Sequence, residues 1–95
     1  MLSYALVDGF TCFRGHAALE ALAAAVAVAG GLVIDFALFS DRAVRVDAEI
    51  EAGALGALCS ALEAAGVHLL PGCTAELVKA RGRRRVVALL HVAFA

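Results

Sequence analysis

The residues best suited to chemistry lie in one short segment near the N-terminus, from Asp8 to His16. The segment contains a thiol at Cys12, a guanidinium at Arg14 and an imidazole at His16. Thiolate sulfur and imidazole nitrogen are ligands for copper and zinc ions. Cys12 and His16 are therefore a candidate metal site.

The same segment is a candidate site for a small anionic ligand. Gly9 and Gly15 allow close approach to the backbone, and the segment leads into a predicted helix whose N-terminus favours negative charge. Arg14 adds a donor fork suited to carboxylate or phosphate. Asp8, Gly9, Arg14 and Gly15 form this candidate set. The alternative is a simple turn in which Asp8 pairs with Arg14.

The run Gly9-Phe10-Thr11-Cys12, after a predicted strand and before an Ala/Leu-rich helix, resembles the Gly-Met-Thr-Cys-x-x-Cys loop of heavy-metal-associated domains. The resemblance covers residues 3–70, in the pattern of elements more than in identity. It implies a β-α-β-β-α-β fold and a carrier or sensor of a soft metal ion such as copper(I). Gly15 stands where the family has its second cysteine, and Phe10 replaces its methionine. His16 is then the nearest substitute ligand.

An enzyme is a further alternative, because Cys12 could form a nucleophilic pair with His16, His68 or His91. No third residue that would orient such a pair can be identified. His68 and His91 lie inside apolar runs, where a hydrogen-bonded core or interface histidine is the more common explanation. A non-catalytic protein is therefore favoured.

The other two cysteines fit no disulfide or zinc pattern. Cys59 falls on the apolar stripe of a predicted helix and is expected to pack in the core, whereas Cys73 follows Pro71-Gly72 and is expected to be exposed. An odd number of free thiols suits a reducing compartment. The N-terminus lacks the basic start of a signal peptide, so a cytoplasmic location is expected.

Charge is strongly segregated along the chain, with a net −6 before Lys79 and +5 from there onward. The basic residues of the C-terminal run are Lys79, Arg81, Arg83, Arg84 and Arg85. Such a run could contact phosphate groups, but the aromatic residues of a single-strand binder are missing nearby, so nucleic acid is not favoured. The other interpretations of this run are an acidic partner, self-association, or a solvated turn that protects a sheet edge from further pairing.

The 95 residues form one domain, 1–95, and their composition excludes disorder. Hydrophobic residues make up 63% of the chain and charged residues 18%. A membrane-spanning helix needs about 20 consecutive apolar residues. The longest apolar window, Ala21 to Ile34, is shorter, interrupted by Gly30-Gly31 and rich in alanine. No membrane span is expected.

Hydrophobic periodicity predicts strands and helices in alternation. Apolar and polar residues alternate from Ala43 to Glu51, which predicts a strand with one wet face, and Leu32 to Phe39 precedes it as the other strand of a hairpin. Leu2 to Val7 predicts a first strand. Helices are predicted over His16 to Ala29 and Ala54 to Ala65, each followed by glycine.

A fourth strand is supplied by Val67 to Leu70 or by Val86 to Phe94, two alternatives that the sequence leaves open. The order β-α-β-β-α-β then predicts an α+β fold of the ferredoxin-like class. In that arrangement both helices cover one face of an antiparallel sheet. Beyond it, Ala75 to Ala80 fits a strand or a short helix, and with a turn at Arg81-Gly82-Arg83 an extra hairpin is favoured.

Val86 to Ala95 is apolar except for His91, so both of its faces require burial. The outer face of the first helix is largely alanine. Together these surfaces favour a homo-oligomer; the alternative is a monomer whose own C-terminal extension covers them.

Overall fold

A computed structural model describes residues 3–70 and 82–94 of the chain. It is an α+β fold in which two helices pack on one five-stranded mixed sheet, an architecture compatible with the ferredoxin-like class. The elements are β1 (Ser3–Thr11), α1 (Gly15–Val28), β2 (Leu32–Phe39), β3 (Ala43–Glu51), a 3-10 turn (Ala52–Ala54), α2 (Leu55–Ala64), β4 (Val67–Leu69) and β5 (Arg85–Phe94).

Most of the predicted elements are confirmed. The strands β2 and β3 have the predicted bounds, and α1 and α2 each differ from prediction by one residue at either end. Both helices end before a glycine in the left-handed conformation, at Gly30 (φ 81°) and Gly66 (φ 94°), the conformation in which glycine is favoured after a helix. Most of the predicted hairpin segment 75–83 lies outside the described residues, and so does Cys73.

The prediction for the first strand was too short. Asp8-Gly9 was expected to end it, but β1 continues to Thr11 because strands pair with this stretch on both sides. Gly9 makes no turn. A Cβ atom at this position would lie 2.5 Å from the backbone oxygen of His68, so glycine is required by the close approach of β4.

The strand order in the sheet is β2-β3-β5-β1-β4. β5 pairs in parallel with β1 and antiparallel with β3, while the β2–β3 and β1–β4 pairs are antiparallel. The expectation of an antiparallel sheet was therefore wrong for one pair. In this central strand Val86, Ala88, Leu90 and Val92 are buried against the helices. On its other face Val87 is buried, whereas His91 and Ala93 are exposed, so the expected burial of both faces is only partly met in the single chain.

One core lies between the helices and the sheet. The helices contribute Leu22, Val26, Leu58 and Leu62, and Cys59 is buried there as predicted. The central strands contribute every second residue. On β3 and β5 these are Val44, Val46, Ala48, Ile50, Val86, Ala88, Leu90 and Val92. Because these residues face the helices, the residues between them form a second face of the sheet, which we call the open face.

No helix of the described residues is long and apolar enough to cross a membrane.

Candidate functional site

The loop that the sequence singled out is shorter than predicted. Asp8 and Gly9 belong to β1, so only residues 12–14 connect that strand to α1. Thr11, just before the loop, is the only buried polar residue found among the described residues. Its hydroxyl donates to the backbone oxygen of Gly66 at 3.0 Å and accepts from the Phe13 N–H at 3.3 Å. The loop is thereby attached to the turn between α2 and β4.

The N-terminus of α1 has no side-chain cap. Arg14 occupies the capping position in an extended conformation, and the first turn has no acidic residue. The guanidinium of Arg14 donates to the backbone oxygen of Asp41 at 3.2 Å. Gly15 has a left-handed backbone (φ 56°), with nothing within 4 Å of where a Cβ would lie. Of the four residues predicted to bind an anion, Arg14 and Gly15 lie at the helix start, whereas Asp8 and Gly9 lie in β1.

Cys12 is exposed in the loop and His16 is exposed in the first turn of α1. Among the described residues no group of three or more His, Cys, Asp or Glu side chains is placed to hold a metal ion. The metal hypothesis therefore stays a prediction. If Cys12 binds copper(I), Cys12→Ser should abolish copper(I) uptake in competition with a chelator, and Cys59→Ala should leave that uptake unchanged.

The two strand histidines were expected in the core or an interface. Both are exposed on the open face, so neither lies in the core, and the interface position stays a prediction. The ring of His68 stacks on Phe10 with centroids 5.1 Å apart, and the ring of His91 meets the edge of Phe39 at 6.3 Å. His91 Nδ1 also lies 3.9 Å from Asp8 Oδ1. Asp8 thus faces a histidine of the neighbouring strand rather than Arg14.

The open face carries apolar side chains on β1 and β5, which we call the open-face patch; the Asp8–His91 pair lies between its two ends. The patch consists of Tyr4, Leu6 and Phe10 with Leu89 and Ala93, which lie opposite Leu6 and Phe10 in the parallel register. The exposed fractions of Tyr4, Leu6 and Phe10 are 64%, 66% and 44%. Within the part of the chain that the structure describes, no helix covers this face.

Charged side chains occupy the other half of the open face. Arg45 on β3 lies 3.2 Å from Asp35 on β2 and 3.3 Å from Asp47 on its own strand. Arg85 on β5 lies 3.0 Å from Glu49. With Asp8 and Glu51, the face holds more carboxylates than guanidinium groups. The described part of this face therefore carries a net negative charge.

Part of the basic run is positioned by backbone hydrogen bonds. Residues 82–84 lie beside the 3-10 turn, where the Ala52 N–H donates to the Arg84 oxygen and the Gly53 N–H to the Gly82 oxygen. Arg83, Arg84 and Arg85 are exposed; Lys79 and Arg81 lie outside the described residues. Arg85 stands at the end of the acidic strand β3, so the two charge blocks of the sequence meet in the fold.

The open-face patch was not predicted from the sequence. Tyr4, Leu6, Asp8 and Phe10 share one phase of β1, but their neighbours Ala5, Val7 and Gly9 are not polar, so only the paired strand up to Thr11 reveals which phase is exposed. Comparison with known proteins finds no matching family model, and neither a curated protein nor a solved structure matches the chain.

Proposed function

We propose that the protein is a small non-catalytic assembly module whose copies associate through the open face of the sheet. The observation that carries this proposal is the open-face patch, in which three large side chains of one strand are 44–66% exposed. At these exposures Tyr4, Leu6 and Phe10 offer roughly 300 Å² of surface. The largest apolar area on a typical monomer is of about this size and is often functional.

A second copy of the chain is the partner that suits this face best. A two-fold contact brings the same surface together from both sides, so it needs apolar groups at the centre and charges of both signs around them. The open face has both kinds of group: the patch lies on β1 and β5 with the Asp8–His91 pair within it, and Arg45 and Arg85 lie beside carboxylates of β2 and β3. A stable dimer buries about 800 Å² per partner, so the contact includes this charged margin.

The proposed fold of the module is ferredoxin-like with one inserted strand. The two units β1-α1-β2 and β3-α2-β4 place both helices on the same face. Without β5, the strand order would be β2-β3-β1-β4, the order of that fold class. The insertion of β5 widens the sheet, and hence the open face, by one strand of about 4.8 Å.

The proposal is tested by the association state of Leu6→Glu beside the matched control Val28→Glu. Val28 is the more exposed residue at 79%, but it lies at the end of α1 and not on the sheet. We expect the wild type to be oligomeric in native mass spectrometry and light scattering. In Leu6→Glu the dissociation constant should rise at least about tenfold, since burying a leucine contributes about 1.5–3 kcal/mol.

Circular dichroism spectra of both variants should match the wild type, which shows that the fold is retained. A wild type that stays monomeric at high concentration would refute the proposal. An oligomer dissociated by Val28→Glu but not by Leu6→Glu would place the contact on the helical side instead.

A further inference from the structure

The strand β2 lies at one edge of the sheet and, among the described residues, pairs only with β3. Its large apolar side chains are exposed on both faces of the sheet. They are Leu32, Ile34, Phe36 and Phe39. A long apolar edge strand is a template for pairing with another strand, and natural sheets protect such edges with charges, prolines or bulges.

Asp35 is the one charged residue of β2, and its carboxylate has two contacts. Oδ1 accepts the backbone N–H of Phe36 at 2.8 Å, and Oδ2 lies 3.2 Å from Arg45 Nη2. The first contact occupies a backbone donor of the edge strand. The ladder register also shifts between Val33 and Asp35, which identifies a bulge at Ile34. Bulges interrupt the regular edge that a new strand would require.

Arg45 is the residue that positions this carboxylate. Asp35 stands directly opposite Asp47 in the β2–β3 register, an arrangement in which two carboxylates repel each other. Arg45 contacts both, at 3.2 Å and 3.3 Å, and so holds Asp35 close to the strand. The side chain of Asp35 remains 65% exposed, so its charge also faces any strand that approaches the edge.

We propose that Asp35 closes the edge of β2 against pairing with β2 of a second copy. An identical strand can always pair antiparallel about a two-fold axis, and here apolar side chains would meet on both faces. When the two-fold axis passes through residue 35, the two copies of Asp35 lie directly opposite each other, and their repulsion opposes this register specifically. Asp35 thus keeps a second copy of the chain from pairing with the β2 edge, a surface distinct from the open-face patch.

The test is a gain of association when the carboxylate is removed. Asp35→Ala is made in the Leu6→Glu background, in which contact through the open face is already weakened. Asp41→Ala in the same background is the matched control, because it removes one exposed carboxylate from the β2–β3 turn and not from the edge. We expect Asp35→Ala to associate at a protein concentration at least about tenfold lower than Asp41→Ala, as followed by light scattering.

Adding Phe36→Lys to Asp35→Ala should reverse this gain, because a lysine on the edge strand again blocks pairing. Equal association of the Asp35→Ala and Asp41→Ala variants would overturn the proposal, and so would a gain that Phe36→Lys leaves unchanged. If Asp35→Ala has lost its native circular dichroism spectrum, Asp35→Asn replaces it, since it removes the charge and keeps the side-chain size. The proposal does not rest on the open-face contact: if the wild type is monomeric, the same comparison is made without Leu6→Glu.

Discussion

Replacing Gly9 with alanine is expected to destabilise the protein by about 2–3 kcal/mol, the upper part of the range for overpacking. The added Cβ would lie 2.5 Å from the backbone oxygen of His68 and 3.2 Å from Leu69 Cδ2. Because the nearest atom belongs to the backbone, β4 has to move away from β1. That movement strains the hydrogen bond from the Leu70 N–H to the Asp8 oxygen, which measures 3.0 Å.

The measurement is the melting temperature, which should fall by roughly 10 °C or more for a domain of this size. Gly30→Ala is the control because Gly30 has a left-handed backbone (φ 81°) but nothing within 4 Å of a Cβ. Gly30→Ala should lower the free energy of unfolding only by the cost of placing an alanine in a left-handed backbone conformation, about 1–2 kcal/mol. A Gly30→Ala variant less stable than Gly9→Ala would contradict the assignment of Gly9 to a close contact between strands.

Local sequence patterns predicted the β2–β3 hairpin well and the neighbours of β1 and β5 poorly. In β3 the strict alternation of Val44, Val46 and Ile50 with charged residues determines both the bounds of the strand and its buried face. The helices were also predictable, since their apolar stripes and following glycines are local signals. The pairing of β5 with β1 and β3 joins residues far apart in sequence, and a single sequence carries no signal for such neighbours.

The candidate site shows the same division. Cys12 and His16 were predicted from residue type, and both are exposed near the start of α1. Residue type alone cannot identify the further ligands that a metal requires. His68 and His91 were assigned to the core or an interface because they lie in apolar runs. The phase of each strand excludes the core: Val67, Leu90 and Val92 face the helices, so the histidines between or beside them lie on the open face.

Leu90→Ala is expected to lower the free energy of unfolding by about 2–5 kcal/mol, the range for truncating a buried leucine when a cavity remains. Leu90 is fully buried in the central strand, opposite Val46 on β3 and Val7 on β1, which are also fully buried. Neighbours on both sides belong to hydrogen-bonded strands, so the backbone cannot easily collapse into the space. Urea denaturation should show the loss as a lower midpoint with an unchanged slope.

Leu32→Ala is the matched control, because the same atoms are removed from a side chain that is 62% exposed on the edge strand β2. Its effect should be about 0.5 kcal/mol or less. The comparison also separates stability from assembly: Leu90 lies beneath the open face, whereas the open-face patch itself consists of exposed residues. At urea concentrations where Leu90→Ala is still folded, its association state should therefore equal that of the wild type. Equal costs for the two leucines would mean that β5 is not a central strand.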